Sequence, residues 1–257
     1  MNVLILGGTT EASALARALA SEPGIRATLS FAGRTRDPAP PPIPWRSGGF
    51  GGAAGLAAYL RAHDIAALVD ATHPFAAGIS RNAVAAAAEA GVALLAVVRP
   101  AWDVGPGDRW VHVPDMPAAA AALGAVPRRV FLTVGQQELA PFAAAPWHSY
   151  LVRSVEAPAP GLLPPGTRCI AARGPFAEAD ERRLLAEEGV EVLVTKNSGG
   201  TATAAKLAAA RALGVPVVMV ARPPPSGAAA VPDAAGALAW LRHGAASGWR
   251  GGWLRGV

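Results

Sequence analysis

Apolar and polar positions fall in alternating blocks along this chain. Residues 2–7, NVLILG, are an unbroken apolar run closed by glycine, the pattern of a strand buried on both faces. Residues 11–21, EASALARALAS, follow with helical spacing. The pairing then recurs. IRATLSFA (25–32) predicts a strand and GLAAYLRAH (55–63) a helix. IAALVDAT (65–72) predicts a strand, AAGISRNAVAAAAEA (76–90) a helix and VALLAVVRP (92–100) a strand. This rhythm predicts an α/β fold, a parallel sheet flanked by helices.

The pattern blurs between about 100 and 127, where Pro, Gly, Trp102 and Trp110 gather around a short strand, RWVHV, and a helix, PAAAAALGA. It restarts with RRVFLTVG (128–135), a strand ending in glycine like the first. WHSYLVRSV (147–155), TRCIAARG (167–174), EVLVTK (191–196) and PVVMVARP (216–223) are further strands, with helices at 177–188, 200–213 and 233–243. The restart predicts two Rossmann-like domains, 1–110 and 111–257, with the active site in the cleft between them. DPAPPPIPW (37–45) is expected to be an extended surface loop, and GWRGGWLRGV a docked or frayed tail.

Composition narrows the classes. The formal charge is +5, but no basic block exceeds two residues, which argues against a nucleic-acid partner and suits a small acidic ligand. No run is long and apolar enough for a membrane span, and Met1 leads straight into the first strand without a basic leader. The one cysteine, Cys169, lies in CIAA and is expected to be a buried, inert thiol. A cytoplasmic protein is expected. The excess of Ala, Gly, Pro and Arg reads as the codon bias of a GC-rich genome. Only two lysines occur, Lys196 and Lys206, so lysine runs against that bias.

Chemistry is expected where strands meet helices. In LILGGTTEASALA, free amides at the helix start suit an anion, with Gly8 allowing close approach and the Thr9 and Thr10 hydroxyls as added donors. The alternative is a plain turn capped by Thr9 or Thr10. The motif departs from the dinucleotide fingerprint, because Thr9 stands where its second glycine belongs. The second strand ends in SFAGRTR, without a carboxylate. Ser30, Arg34 and Arg36 there suit a 2′-phosphate, hence NADP rather than NAD; the alternative is a pair of solvated arginines. In DATHPFAAGISRNA, Thr72 and His73 sit at a strand end, Pro74 is expected to begin the helix, and His73 can donate a hydrogen bond or a proton. No second histidine lies at metal spacing, so no metal is expected. FLTVGQQ repeats the glycine turn with Thr133, Gly135 and Gln136, and ARGPF sets Arg173 at another strand end. In VTKNSGGTATAAK, Lys196 ends a strand, and Ser198 to Thr201 are expected to form a helix N-terminus aimed at the same crevice. Lys206 would then fall about two turns into that helix, either facing the crevice or solvated.

Together these residues resemble the precorrin-6A reductase family of cobalamin biosynthesis. The likeness rests on ILGGTTEASALA, DATHPFAAGISRNA, FLTVGQQEL, ARGPF, TKNSGGTATAAKLAAARALGVPVVMVARP and their order, and it covers nearly the whole chain. It implies an NADPH-dependent reductase acting on the carboxylate-rich tetrapyrrole precorrin-6A. Hydride would go to the C18–C19 double bond to give precorrin-6B, with handover to or from neighbouring pathway enzymes. On that basis Gly8, Thr9, Thr10 and Arg34 hold NADPH, with Thr133, Gly135 and Gln136 as a second cofactor turn. Thr72, Arg173, Lys196, Ser198, Gly199 and Lys206 bind substrate, and His73 and Lys196 are the candidate proton donors. The alternatives are the cobalt-precorrin-6A reductase of the anaerobic pathway, a methyltransferase of the same pathway and a non-catalytic NADP sensor.

Overall fold

The computed structural model describes residues 1–33, 40–156, 158–159, 161 and 163–247. The chain forms two units, Met1–Pro100 with the stretch from Pro223 onward, and Ala101–Arg222. In the first unit β1 (Asn2–Leu6), α1 (Thr10–Leu19), β2 (Arg26–Phe31), β3 (Trp45–Ser47), α2 (Gly52–Ala62), β4 (Ile65–Asp70), α3 (Ala77–Ala90) and β5 (Ala93–Val97) follow in turn. The second unit holds β6 (Trp110–Val113), α4 (Met116–Ala121), β7 (Arg129–Thr133), β8 (Ser149–Ser154), β9 (Thr167–Ala171), α5 (Glu178–Glu187), β10 (Val192–Lys196), α6 (Ala205–Leu213) and β11 (Val217–Val220). The chain then returns to the first unit with β12 (Ala230–Val231) and α7 (Ala234–Ser247). Among the described residues no helix is long and apolar enough to cross a membrane.

The first sheet has the order β12-β5-β4-β1-β2-β3, with every pairing parallel. Its side chains alternate between two helical layers, as strand geometry requires. Val3 and Ile5 face α1 and α7 through Leu15, Leu19 and Leu241. Leu4 and Leu6 face α2 and α3 through Leu56, Leu60 and Ala83. Leu6 pairs with Ser30 on one side and Asp70 on the other, so three strand ends lie level.

The second sheet repeats the plan as β6-β11-β10-β7-β8-β9, again all parallel. Phe131, Leu193 and Met219 pack with Leu185 of α5 and Leu207 of α6. Thr133 pairs with Thr195 and Lys196 with Val220, so the turn after β7 begins beside the end of β10.

Four expectations change. The division expected at 110/111 gives way to a second unit spanning 101–222, because β12 pairs with β5 and α7 joins the α1 layer. The expected loop at 37–45 ends in β3, an edge strand paired with β2; residues 34–39 lie outside the described set, as does the tail from 248. The helix expected from residue 200 starts at Ala205. Gly199 and Gly200 hold φ of 66° and 79°, left-handed values that a helix start does not adopt, and a turn follows them before the helix forms. Cys169 is exposed rather than buried, because β9 is the outer strand of its sheet.

Two buried charges of the second unit form a pair. Arg153 of β8 meets Glu181 of α5 through two parallel hydrogen bonds, Nη2 to Oε2 at 2.8 Å and Nη1 to Oε1. The guanidinium carbon lies 3.8 Å from the centre of the Phe176 ring and 5.0 Å from that of Phe131. Removing one partner strands the other charge in the core. Glu181→Ala is expected to lower stability by about 3–5 kcal/mol in urea denaturation. The double change Arg153→Met with Glu181→Leu is expected to recover most of that loss, and no recovery would show that packing rather than charge dominates.

Candidate functional site

Each unit presents its candidate residues at the carboxyl ends of its central strands. In the first, the chain leaves β1 through Gly7 and Gly8 and enters α1 at Thr10. Gly8 has φ of 116°, a value that side-chain-bearing residues rarely adopt, and it is exposed. Thr9 is the cap, as the simpler sequence alternative had it. Its Oγ1 accepts from the Ala12 amide at 3.1 Å and donates to the Ala71 carbonyl at 2.7 Å. That hydroxyl proton is therefore committed, and the donors left to this turn are backbone amides, among them the Thr10 N–H, which precedes the helical ladder; the Glu11 N–H lies against its own carboxylate.

A carboxylate at a helix start would repel a phosphate, and Glu11 stands there. Its Oε2 is 2.8 Å from Nη1 of Arg99, with both side chains largely buried. Burial would raise this carboxyl. That effect is outweighed by the hydrogen bond from its own N–H, the Arg99 charge and hydrogen bond, and the Thr10 side chain, so it titrates below the ordinary 4.5. Arg99 thus neutralises the one acidic group of the turn.

At the end of β2, buried Ser30 accepts from Nη1 of Arg46 at 2.8 Å. Arg46, on β3, also donates to the carbonyls of Gly48 at 2.9 Å and Gly49 at 3.1 Å, and stacks 4.0 Å above the Phe50 ring centre. Sequence reasoning missed it, since nothing local marks Arg46 as a neighbour of Ser30. Arg34 and Arg36 lie outside the described residues.

At the end of β4, Asp70 is only 6% exposed and its Oδ1 accepts both the Thr72 amide (3.1 Å) and the Thr72 hydroxyl (2.6 Å). Thr72 is therefore fixed in an Asx-type turn. The helix expected from Pro74 begins at Ala77. His73 turns back, its Nδ1 accepting the Phe75 amide at 3.2 Å, which places the proton of the neutral ring on Nε2.

In the second unit the turn after β7 and the end of β10 form one cluster. Thr133 Oγ1 donates to the Val194 carbonyl at 3.2 Å. Gly135 N–H donates to Oε2 of Glu138 at 2.7 Å, and Gln136 donates to the Glu156 carbonyl at 2.9 Å. The Lys196 ammonium meets both Glu138 oxygens, at 3.0 and 2.7 Å. Asn197 is a double clamp: its side-chain amide exchanges two hydrogen bonds with the Trp102 backbone, at 2.7 and 2.9 Å, and its carbonyl accepts from Nε of Arg222 at 2.7 Å. Ser198 and Gly199 are buried beside it.

Lys206 is placed differently from the expectation. It lies in the first turn of α6, not two turns in, and is 4% exposed, so the solvated alternative falls. Its ammonium is 5.3 Å from the Trp102 ring centre, and the Trp102 indole N–H donates to the Gly200 carbonyl at 2.9 Å. Arg173 is exposed. The ARGPF turn that carries it reaches the stretch before α6 through the Phe176 amide, 3.3 Å from the Ala202 carbonyl. The structure thus joins Thr133, Gly135, Gln136, Lys196 and Ser198 around Glu138 and Asn197, and holds Lys206 against Trp102. Glu138 and Arg222 went unread as site residues, although both lie inside the quoted motifs.

The model of the family described as precorrin-6x reductase CbiJ/CobK matches residues 2–242. A relative from Sinorhizobium sp, named precorrin-6A reductase, is 52% identical over 94% of this chain and 92% of its own. A solved structure titled CobK precorrin-6A reductase superposes with a TM-score of 0.90 at 49% identity, covering 95% of this chain and 96% of that one. A cobalt-precorrin-6A reductase from Priestia megaterium is 32% identical over 64% of this chain and 68% of its own.

The depressed Glu11 carboxyl gives a pH test. A group that titrates lower in the folded chain contributes stability above its unfolded value of 4.5, and that contribution is lost as pH falls through the folded value. Glu11→Gln is expected to lower stability by roughly 1 kcal/mol at pH 7 and to flatten the acid limb below pH about 4.5. Urea midpoints between pH 7 and 3 check this; parallel curves for the two proteins would refute it.

Proposed function

The chain belongs to the precorrin-6x reductase CbiJ/CobK family, and on that footing we propose that it reduces precorrin-6A to precorrin-6B with NADPH. The observation that carries the substrate assignment is the full-length likeness to a precorrin-6A reductase, 52% identical over 94% of the chain. The weaker, partial likeness to cobalt-precorrin-6A reductases, 32% over 64%, favours the cobalt-free substrate.

The first unit suits the cofactor. Gly8 is exposed with no side chain, the amides that follow are those of a helix start, and Arg99 cancels the Glu11 charge, so a pyrophosphate fits there. Gly8, Thr9 and Thr10 hold it through backbone N–H groups, and Arg34 takes the 2′-phosphate. The turn of Thr133, Gly135 and Gln136 is a second place for part of the cofactor. NADPH supplies the hydride that reduces the C18–C19 double bond.

The second unit suits the substrate's acid groups. Lys196, Ser198 and Gly199 at the end of β10, Lys206 at the start of α6 and Arg173 after β9 are the residues assigned to those groups, and Thr72 is the substrate-binding residue assigned in the first unit. A proton completes the product. His73 has its Nδ1 occupied by an amide N–H, so loss of the Nε2 proton would leave an imidazolate. It therefore serves as a hydrogen-bond donor, and Lys196 is the preferred proton donor.

The deciding experiment mixes the protein with NADPH and precorrin-6A and follows the nicotinamide absorbance. Oxidation with a shifted tetrapyrrole spectrum is expected. Tight NADPH binding without turnover would favour a sensor, and faster turnover of cobalt-precorrin-6A would favour the anaerobic substrate. Lys196→Ala is expected to reduce kcat/KM for precorrin-6A by about a hundredfold with NADPH affinity within about twofold. Unchanged kcat and KM would remove its assigned role. Arg34→Ala is expected to weaken NADPH by at least about tenfold more than NADH; equal loss for both would remove the 2′-phosphate assignment.

A further inference from the structure

Lys196 does not stand alone at the end of β10. Its ammonium lies 3.0 and 2.7 Å from the two oxygens of Glu138, and Oε2 of that carboxylate also accepts the Gly135 amide at 2.7 Å. Glu138 closes the one-turn 3₁₀ helix Gln136–Glu138 that follows β7. Because Thr133 pairs with Thr195, that turn is brought beside Lys196 by the sheet itself, although 58 residues separate the ion pair in the chain. The pair is partly sheltered, with side-chain exposures of 15% for Lys196 and 28% for Glu138. A lysine head has four rotatable bonds behind it, and a carboxylate fixed by a backbone amide removes most of that freedom.

We propose that Glu138 is a positioning residue that acts through Lys196. It fixes the ammonium at the end of β10 and couples its place to the glycine turn after β7. This rests on the role proposed above for Lys196. The carboxylate gives up no proton and touches no reacting atom in this scheme. It fixes where the cation is presented, and so the geometry in which a substrate carboxylate or the reduced carbon meets it.

A double-mutant cycle on the full chain separates this from simple scaffolding. Glu138→Gln keeps the shape and can still accept the Gly135 N–H, but it offers no charge to the ammonium. In the wild-type background it is expected to lower kcat/KM for precorrin-6A by about tenfold, and in the Lys196→Gln background by less than about twofold. An equal loss in both backgrounds would mean that Glu138 serves the turn and not the lysine, and no loss in the first would mean that it does neither; each overturns the proposal. A second readout does not depend on activity. The chain has only two lysines, so ε-¹³C-lysine labelling gives two methylene signals, assigned with Lys196→Arg. The Lys196 ε-methylene is expected to be motionally restrained in the wild type and to become mobile in Glu138→Gln. A freely moving Lys196 in the wild type would sink the proposal whatever the kinetics show. If the protein fails to reduce precorrin-6A while Lys196 is restrained as expected, the substrate reading fails and the positioning contact stands.

Discussion

The parallel pairing of two central strands in each unit is the constraint on which everything functional here depends. β1 lies between β2 and β4, and β7 between β8 and β10. Parallel strands must all deliver their carboxyl ends to the same edge, and the chain reverses its direction of strand addition at the β1–β4 and β7–β10 pairs. Connections leave those pairs toward opposite faces, so the turns that follow them diverge. Residues with no sequence proximity are thereby set side by side. Leu6 pairs with Asp70, which places the Gly8–Thr10 turn next to Thr72 and His73, and Thr133 pairs with Thr195, which places Glu138 next to Lys196.

The turns are held stiff by a repeated device. Thr9 donates its hydroxyl proton to the Ala71 carbonyl, Thr72 to the Asp70 carboxylate and Thr133 to the Val194 carbonyl. Each hydroxyl closes a hydrogen bond within the protein at a strand end. Two of the three, those of Thr9 and Thr133, cross to the neighbouring strand or the residue that ends it. Their contribution is preorganisation of the turns. Where the usual fingerprint has its second glycine, Thr9 stands as a cap whose side chain faces the protein.

The alternation of strands and helices was legible because it is local. Buried parallel strands read as continuous apolar runs, and alanine-rich helices with a glycine stop read as helices. What the sequence hid was every feature set by distant partners. β12 is two residues long and exists only because β5 accepts it, so the return of the chain to the first unit left no local mark. β3 is a three-residue edge strand after a proline-rich run. The late start of α6 depends on two consecutive left-handed glycines, which the sequence shows as Gly-Gly but does not distinguish from a helix cap. Cys169 sits among apolar neighbours, yet its exposure follows from β9 being outermost, a property of strand order alone. The strand-end positions of Gly8, His73 and Lys196 were legible, because the end of a buried strand is marked locally. Arg46, Glu138 and Asn197 were not, since each gains its meaning from a contact made across the fold.

In a chain that elsewhere uses arginine, both lysines are sheltered, Lys206 at 4% exposure and the Lys196 side chain at 15%. A guanidinium presents its donors in a fixed plane and suits a bidentate partner such as Glu181, which Arg153 indeed meets in that way. An ammonium is compact and donates in three directions from one atom. At Lys196 that atom meets both oxygens of one carboxylate, and at Lys206 it fits between the first turn of α6 and the face of Trp102. Trp102 is in turn bound to Asn197 and Gly200, the residues that follow Lys196. Each lysine therefore anchors a different side of the same turn with a compact cationic head.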